Sequence, residues 1–403
     1  MGTASTRVWL KIAALGLVAG LCYYAALHPV DFPVYHQATR AMLKGQGPLY
    51  GPQSGLGWPM HFRYPPLFLL LFIPFALLPL KLGAGAWAAL KFVVLDRLVR
   101  ALASQLGWPG GREAWLVPLV VSGPYLVQEF RYGNAQFFIF ALVAASLLWL
   151  RARPIAAAFA LGLAASLKIW PLLFVPYLAA RREWRVVLWT LLFTLGLTLL
   201  PAAYFGWGGN ETLLRQWASQ EFGTQFGAAQ VWFPSQSLRG VLMRYLVEID
   251  YSKLPDPNYR TVNLLALDPR SVRLLWLALA TAGYVALLVL ARNRAQSPGY
   301  TEHGLAFCAL ALLEPITHRI VLVVLLWPGM VAGAALATKG DLPRWARATL
   351  YAAVCLLALQ PLVPGAASQR LFQVLGVDFL ATCLVAAALA GASLQPGSSL
   401  PAE

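Results

Sequence analysis

Long apolar runs separated by short polar turns make up most of this chain, and they limit what it can fold into. Several runs approach the length of about 20 residues that a helix needs to cross a bilayer. Only 12% of the 403 residues are charged and 59% are hydrophobic, whereas about a quarter of a soluble domain is charged. Such a chain cannot cover a water-facing surface, and its sequence therefore predicts an integral membrane protein.

The runs are continuous rather than alternating, which favours α-helices over a transmembrane β-barrel. We predict an all-α polytopic bundle of about twelve transmembrane helices, forming a single membrane domain over residues 1–403. A Ser-, Pro- and Gly-rich tail, 393–403, is predicted to be disordered. The predicted spans are Val8–Leu27, Pro66–Leu80, Ala84–Leu102, Trp115–Phe130, Gln136–Leu150, Ile155–Ala180, Val186–Phe205, Leu274–Leu290, Gly304–Ile316, Ile320–Ala337, Ala348–Leu362 and Phe372–Ala392.

The formal net charge of +15 fits a membrane protein better than a nucleic-acid-binding protein, because cytoplasmic loops collect Lys and Arg. This rule places the basic turns near Arg181, Arg292 and Lys339 inside. It places the two long polar stretches, 28–64 and 206–270, outside. Strict alternation also puts Arg151 and Arg153 outside, against the rule. Either the region between Ala84 and Ala180 contains a re-entrant pair, or these arginines bind an external anion.

The sequence contains no motif for a metal, a nucleotide or a disulfide framework. Its four cysteines lie in apolar runs without CxxC spacing, and P-loop, GxSxG and HExxH motifs are absent. We therefore predict no cofactor and no metal. The external face has no access to ATP or sugar nucleotides, so any energised donor must come from the membrane.

The first external stretch, 28–64, holds a single acid, Asp31, directly after a membrane-length run. The residues after it predict an amphipathic helix on the membrane surface, with Tyr35 and His36 on its polar face. Asp31 could simply cap this helix or lie in solvent. Alternatively, a positioned carboxylate at this depth could take a proton from a hydroxyl, an effect worth about 10²–10⁴ in rate.

Two basic residues are candidates for binding a phosphate. Arg63 precedes the helix start at Pro65 and Pro66, where it could either contact a phosphate or extend to the membrane interface. Lys168 lies in an apolar run, where burial of its charge costs about 2.5–3.5 kcal/mol on insertion scales. An intramembrane lysine suggests an anionic lipid phosphate as its partner, although a kink at Pro171 could also let it reach an interface.

Polar clusters occur in three further turns, each of which could also consist of ordinary solvated loop residues. The short turn 314–319 places Glu314, His318 and Arg319 on the same face as Asp31, which makes His318 a second catalytic candidate. The candidate catalytic residues are Asp31 and His318. The candidate substrate-binding residues are Tyr35, His36, His61, Arg63, Tyr64, Arg131, Asn134, Gln136, Lys168, Gln236, Arg239 and Arg319.

The chain resembles the GT-C superfamily of polytopic glycosyltransferases, and it is most similar to glycosyltransferase family 87. That family includes the mycobacterial polyprenol-phosphate-mannose-dependent mannosyltransferases. The order and spacing of the matching stretches agree over roughly the first two-thirds of the chain. These stretches are DFPVYHQATRAMLKGQGPLY with FRYPPLFLLLFIPFALLP, then GNAQFFIFALVAASLLW, ALGLAASLKIWPLLFVPYLAARREWR and PSQSLRGVLMR.

The resemblance implies a polyprenyl-phosphate-linked sugar as donor, with mannose the first candidate, and an inverting transfer to a lipid or glycan acceptor. It implies a catalytic aspartate in the first external loop, which corresponds to Asp31, and a periplasm-facing site in a bacterial inner membrane. The partners expected are this donor, its acceptor and membrane lipids, with no nucleic acid. Where the family has a Ser-Pro pair and a Trp before its histidine, this chain has Glu314, Pro315, Ile316 and Thr317 before His318.

Two other functions fit the sequence. A transporter or flippase for a lipid-linked glycan would have paired charges deep in several spans. A polysaccharide polymerase or ligase would use a diphosphate-linked donor rather than a phosphate-linked one.

Overall fold

The computed structural model describes residues 2–51, 61–226, 234–251, 256, 258–338 and 342–393. In these residues the chain is helical and contains no β-strand, which confirms the all-α prediction. Short 3₁₀ segments occur at Trp170–Leu173, Arg319–Leu325 and Gln360–Leu362. The α-helices are α1 Gly2–Leu27, α2 Phe32–Leu43, α3 Pro66–Ala76, α4 Leu80–Gln105, α5 Arg112–Tyr132, α6 Gln136–Trp149, α7 Pro154–Leu167, α8 Phe174–Ala180, α9 Trp184–Leu199, α10 Ala202–Phe226, α11 Leu238–Leu246, α12 Pro269–Asn293, α13 Tyr300–Leu313, α14 Leu326–Ala337, α15 Arg344–Leu359, α16 Ala366–Leu375 and α17 Val377–Ser393.

Few of these helices could cross a bilayer without a break. By length and composition, the described residues contain three such segments, Pro269–Asn293, Arg319–Ala337 and Arg344–Leu362, or up to seven if each bent helix pair counts as one span. Helices α6, α7 and α13 have 14 residues each, about 21 Å at 1.5 Å per residue. They are largely buried among other helices.

Basic side chains gather at one end of the bundle, which we call the basic end and define by Arg151, Arg181 and Arg294. Arg151 Nη2 donates to the Ser297 carbonyl at 3.1 Å, and Arg181 Nη2 donates to the same carbonyl at 2.7 Å. Arg294 Nη2 donates to the carbonyl of Ser393, the last residue of α17. Three basic turns that are far apart in sequence therefore lie together.

The predicted second span, Pro66–Leu80, does not cross the bundle. Helix α3 has only 11 residues, and the chain bends by 109° between α3 and α4. The Leu78 carbonyl at this bend lies 3.0 Å from His36 Nε2 of α2. Proline explains the break, because Pro74 lies within α3 and Pro79 precedes α4, and proline cannot donate a helical hydrogen bond. This span prediction was wrong.

The predicted span Ile155–Ala180 is in fact two segments that run in opposite directions. Helix α7 leaves the basic end and ends at Lys168, whose extended backbone (φ −156°, ψ 147°) interrupts the helix. Lys168 Nζ there reaches Gln136, the first residue of α6, so α6 and α7 are antiparallel. The following 3₁₀ segment and α8 return to Arg181. The missing crossing at α3 and the additional reversal between α7 and α8 cancel in the alternation of sides. Arg151 therefore lies with the other basic turns, as the re-entrant alternative requires.

Two predicted polar regions are more ordered than expected. Helix α10, which meets α9 at an angle of 90°, extends into the stretch 206–270. The same stretch also contains α11. Helix α2 forms as predicted, yet its Tyr35 and His36 are buried rather than facing water. The predicted disordered tail lies outside the described residues, apart from Ser393 at the end of α17.

Candidate active site

A cavity of about 2180 Å³ lies at the end of the bundle opposite the basic end and extends inward along α8 and α13. Its walls come from segments that are distant in the sequence. They include the residues after α1, the turn before α6, the break after α7, part of α10 and the turn 314–319. Polar groups from both long polar stretches, 28–64 and 206–270, therefore line a single space.

Asp31 lines this cavity from the junction between α1 and α2. Its backbone N–H donates to the Tyr132 carbonyl at 2.7 Å, and Asn134 Nδ2 donates to Asp31 Oδ2 at 2.8 Å. Asp31 precedes the first turn of α2, but its side chain makes no capping hydrogen bond. Burial raises the pKa of the Asp31 carboxyl, against the opposing effects of the Asn134 hydrogen bond and the Lys91 and Lys168 charges.

The turn from Gly133 to Gln136 holds both Asp31 and Lys168. Gly133 has a left-handed backbone with φ +70°, and a Cβ added there would lie 2.8 Å from Phe32 Cβ. Glycine is thus required both by conformation and by the close approach of α2. Beyond it, Asn134 binds the carboxylate of Asp31, while Gln136 Oε1 accepts from Lys168 Nζ at 2.8 Å. A shift of this turn would move the acid and the ammonium together.

A buried ion pair between Lys91 and Glu129 supports this turn. Lys91 Nζ lies 2.8 Å from Glu129 Oε2, and both side chains are 0% exposed. Glu129 Oε1 accepts from the Phe137 backbone N–H at 2.9 Å, which fixes the start of α6. The Trp87 indole N–H donates to the Gly133 carbonyl at 3.0 Å.

Breaking this ion pair is expected to destabilise the protein strongly, whereas removing both charges is expected to restore much of the loss. The single variant Glu129→Gln leaves the Lys91 ammonium buried without its counter-charge, at a cost of about 3–5 kcal/mol. In the double variant Lys91→Met with Glu129→Gln, no buried charge remains and the glutamine oxygen can still accept from Phe137. Thermal unfolding in detergent measures both variants, and equal destabilisation of the two would contradict this account.

Three of the candidate substrate-binding arginines already have partners in the protein. Arg63 Nε and Nη2 donate to the two carboxylate oxygens of Glu221 at 2.9 and 3.1 Å. Arg319 Nε lies 2.8 Å from Asp378 Oδ2. The Arg239 guanidinium lies 5.6 Å from the ring centre of Trp276, is 3% exposed and does not line the cavity.

Lys168 differs from these three arginines. It lines the cavity, and among the described residues no carboxylate lies within salt-bridge distance of its ammonium group. Among the described residues, its ammonium group donates one hydrogen bond, to the neutral amide oxygen of Gln136. A lysine has three N–H donors, so Lys168 can bind an anion without first giving up an ion pair.

The remaining candidates divide by position. Tyr35, His61, Tyr64, Asn134 and His318 line the cavity, as do Arg63 and Arg319. The other candidates do not: His36 contacts the Leu78 carbonyl, Arg131 is exposed beside the rings of Tyr24 and Tyr132, and Gln136 acts only through Lys168. Gln236 is 0% exposed and donates to the carbonyls of Pro234 and Gln373.

Hydrogen bonds join the turn 314–319 to the polar stretch 206–270. The Gln236 N–H donates to the Thr317 carbonyl at 2.8 Å, and the Thr317 N–H donates to Ser235 Oγ at 3.0 Å. Burial raises the pKa of Glu314 to about 7, with the Lys168 charge opposing. Burial and the nearby Arg63 and Lys168 charges lower the pKa of His318 to about 3, so this imidazole is neutral at physiological pH.

A model of glycosyltransferase family 87 matches residues 62–304, which is more than half of the chain. The chain belongs to glycosyltransferase family 87. The family match starts after Asp31 and ends before the turn 314–319, so the assignment does not depend on either of these cavity-lining segments.

Two curated relatives are similar over part of this family 87 chain. Both are named polyprenol-phosphate-mannose-dependent alpha-(1-2)-phosphatidylinositol mannoside mannosyltransferase. The protein from Mycobacterium tuberculosis is 30% identical over 201 residues, covering 45% of this chain and 47% of the relative. The protein from Mycolicibacterium smegmatis is 30% identical over 215 residues, covering 47% of this chain and 48% of the relative. The matched region thus spans about half the length of these relatives.

The family 87 chain also has some likeness to solved structures. ArnT from Cupriavidus metallidurans bound to undecaprenyl phosphate gives a TM-score of 0.47 at 13% identity, covering 96% of this chain and 78% of ArnT. The apo form gives a TM-score of 0.44 at 14% identity, with the same coverage of both chains.

Three charged residues that the structure places at or beneath the cavity were not among the predicted site residues. Lys91 lies in the predicted span Ala84–Leu102, and the presence of a lysine in an apolar span is the one sequence feature that could have indicated its role. Glu221 neutralises Arg63 from α10, a region expected to be loop. Glu314 was recognised in its short turn but not chosen as a site residue, although it lines the cavity beside His318. Among the described residues, no group of three or more His, Cys, Asp or Glu is arranged to hold a metal ion.

Proposed function

We propose that the protein transfers a sugar from a polyprenyl-phosphate-linked donor to a hydroxyl of a lipid or glycan acceptor at the external face of a bacterial membrane. The observation that carries this proposal is the placement of Asp31 and Lys168 in one cavity, held by the same turn. A carboxylate can accept a proton, and an ammonium can stabilise a departing phosphate. Membership of family 87 supports the same reaction class.

Asp31 is the general base of the proposed reaction. Asn134 binds its Oδ2, and among the described residues no hydrogen bond is made to Oδ1. Oδ1 is therefore the oxygen we assign to the acceptor hydroxyl. The buried position of Asp31 makes its carboxylate a stronger base than one in water, since burial raises its pKa.

The proposed reaction is a single displacement. The Asp31 carboxylate takes the proton of the acceptor hydroxyl while that oxygen forms a bond to the anomeric carbon of the donor sugar. The bond from this carbon to the phosphate oxygen breaks on the opposite side, and the electron pair leaves with the polyprenyl phosphate. Such a displacement inverts the anomeric configuration.

Lys168 is the cation we assign to the leaving phosphate, because a fixed positive charge favours the charge that develops in the transition state. The neutral His318 can provide a hydrogen bond but no charge at physiological pH. The lining beyond Lys168 is largely apolar and comes from the 3₁₀ segment 170–173, α8, α12 and α13. This part of the cavity suits the prenyl chain of the donor.

The basic end supports the proposed orientation. Arg151, Arg181 and Arg294 gather there, and basic residues favour the cytoplasmic side. The cavity at the opposite end would then face the periplasm. The names of the mycobacterial relatives make mannose the first donor sugar to test.

Purified protein incubated with a panel of prenyl-linked sugars tests this proposal. We expect release of polyprenyl phosphate and formation of one glycoside for each molecule released. A transporter would move the lipid without breaking the sugar–phosphate bond. A polymerase or ligase would release polyprenyl diphosphate from a diphosphate donor, and either result would overturn the proposed reaction.

The rate of transfer is expected to rise with pH on the acid side because Asp31 must be deprotonated to act as a base. Burial disfavours the charged form and raises the pKa of Asp31 above the usual aspartate value. The rate should therefore rise at a higher pH than it would with an exposed aspartate as the base. A pH profile of kcat/KM measures it. The profile should keep this rise in His318→Gln and in Glu314→Gln; its loss in either variant would assign the rise to another group.

A further inference from the structure

A polar cluster lines the cavity on the side of α16, apart from Asp31 and Lys168. It consists of Asp256, Tyr259, Arg370 and Gln373, all of which line the cavity. Arg370 Nε donates to Asp256 Oδ2 at 2.7 Å, and the guanidinium lies 5.2 Å from the Tyr259 ring centre. Tyr259 OH and Arg370 Nη1 both donate to Gln373 Oε1 at 3.1 Å.

Gln236 connects this cluster to the turn 314–319. The Gln236 side chain donates to the Gln373 carbonyl at 2.9 Å, and its backbone N–H donates to the Thr317 carbonyl at 2.8 Å. Thr317 precedes His318 in the cavity wall. The cluster therefore belongs to the same hydrogen-bond network as the turn 314–319.

The central ion pair keeps hydrogen-bonding capacity for a ligand. Side-chain exposure is 36% for Arg370 and 27% for Asp256. Arginine has N–H donors on three nitrogens, and among the described residues Nη2 of Arg370 makes no hydrogen bond. Arg370 Nη2 can therefore donate to a ligand in the cavity.

The charge balance of the cluster indicates which chemistry it recognises. Asp256 neutralises Arg370, so an anionic group would meet as much repulsion as attraction. Asp256 Oδ1 already accepts from the Asn258 N–H and from Asn258 Nδ2 at 3.0 and 2.8 Å, so Oδ2 is the oxygen left for a ligand. Each sugar hydroxyl is both a donor and an acceptor, and it can pair with an N–H of Arg370 and with Asp256 Oδ2. The cluster is therefore suited to a neutral polyhydroxylated group, whereas Lys168 is suited to a phosphate.

We propose that Asp256, Tyr259, Arg370 and Gln373 form a subsite that binds the neutral, polyhydroxylated part of the acceptor. This proposal rests on the proposed function, because it takes the donor to occupy the Lys168 side of the cavity. In this arrangement the acceptor lies on the α16 side of the cavity and the phosphate of the donor lies at Lys168.

The test uses the full chain with polyprenyl-phosphate mannose as donor and octyl α-mannoside as a neutral acceptor probe. The variants are Arg370→Ala and Asp256→Asn. Each removes charge-assisted hydrogen bonds to the probe, so we expect its KM to rise about 10–100-fold, with the donor KM within about twofold of wild type. The control is Arg260→Ala, because Arg260 is exposed next to Tyr259 and does not line the cavity.

The two variants also separate neutral from anionic ligands. If the subsite held an anionic group, inorganic phosphate would inhibit use of octyl α-mannoside more strongly in Asp256→Asn and more weakly in Arg370→Ala than in wild type, and this opposition would overturn the proposed ligand class. An unchanged acceptor KM in both variants, or an equal rise of the donor KM, would overturn the subsite itself. Direct calorimetric binding of octyl α-mannoside to wild type and Arg370→Ala provides a readout that survives if the transfer reaction is not the one proposed.

Discussion

Replacing Asp31 by asparagine is expected to lower the rate of sugar transfer by about 10²–10⁴. Asparagine has the same shape, and its oxygen can still accept the Asn134 hydrogen bond. It cannot take a proton from the acceptor hydroxyl at neutral pH. The expected loss therefore falls on kcat, and the measurement is the rate of glycoside formation at saturating donor and acceptor.

A matched control for this variant is Asp96→Asn. Asp96 is exposed on α4, where it pairs with Arg100, and it does not line the cavity. This variant should keep the wild-type rate. Turnover of Asp31→Asn within a few-fold of wild type would remove Asp31 from the role of general base.

Replacing Lys168 by methionine is expected to lower kcat by about 10²–10³, the size of effect seen when one donor to a developing negative charge is removed. Methionine is similar in length and leaves the break after α7 intact, but it carries no charge. Gln136 Oε1 would lose its partner at 2.8 Å. Because the charge on the phosphate grows as the bond breaks, the loss should fall on kcat more than on the donor KM.

Steady-state kinetics with varied donor concentration measure this split. The control is Lys44→Met, since Lys44 is exposed directly after α2 and does not line the cavity. A Lys168→Met variant that changes only the donor KM would show that Lys168 binds the donor equally in the ground and transition states. One of the arginines would then have to stabilise the leaving phosphate.

The sequence predicts the helical class well, because apolar runs too long for a soluble surface leave few alternatives. It does not predict which runs cross the bundle and which turn back within it. The break at Lys168 lies inside an apolar stretch, and its backbone can turn there because it lines a cavity rather than lipid. The α3 segment is apolar throughout, so its failure to cross the bundle depends on Pro74, Pro79 and the packing of α2.

The candidate site was partly predictable for a similar reason. An isolated acid after a membrane-length run is visible in the sequence, as is a lysine in an apolar run. The partners that neutralise Arg63 and Arg319 are not visible, because Glu221 and Asp378 lie far along the chain from them. Only the folded arrangement shows that those two arginines are paired with carboxylates and that Lys168 pairs with a neutral amide.

The buried pair of Lys91 and Glu129 illustrates the same limit. Each residue alone looks like an unfavourable charge in or near a span, and the pairing is defined only when α4 and α5 pack together. The resulting contact supports the turn that holds Asn134 and Gln136. A buried charge pair that does not line the cavity thereby helps to set the positions of the proposed base and cation.

The anomeric configuration of the product tests the central claim most directly. Wild-type protein in detergent or nanodiscs is given polyprenyl-phosphate mannose of known configuration and octyl α-mannoside, and the new linkage is analysed by NMR. A single displacement with Asp31 as base predicts a linkage whose configuration is opposite to that of the donor. Retention of configuration would contradict the account, because it requires a second displacement and a nucleophile in place of a base.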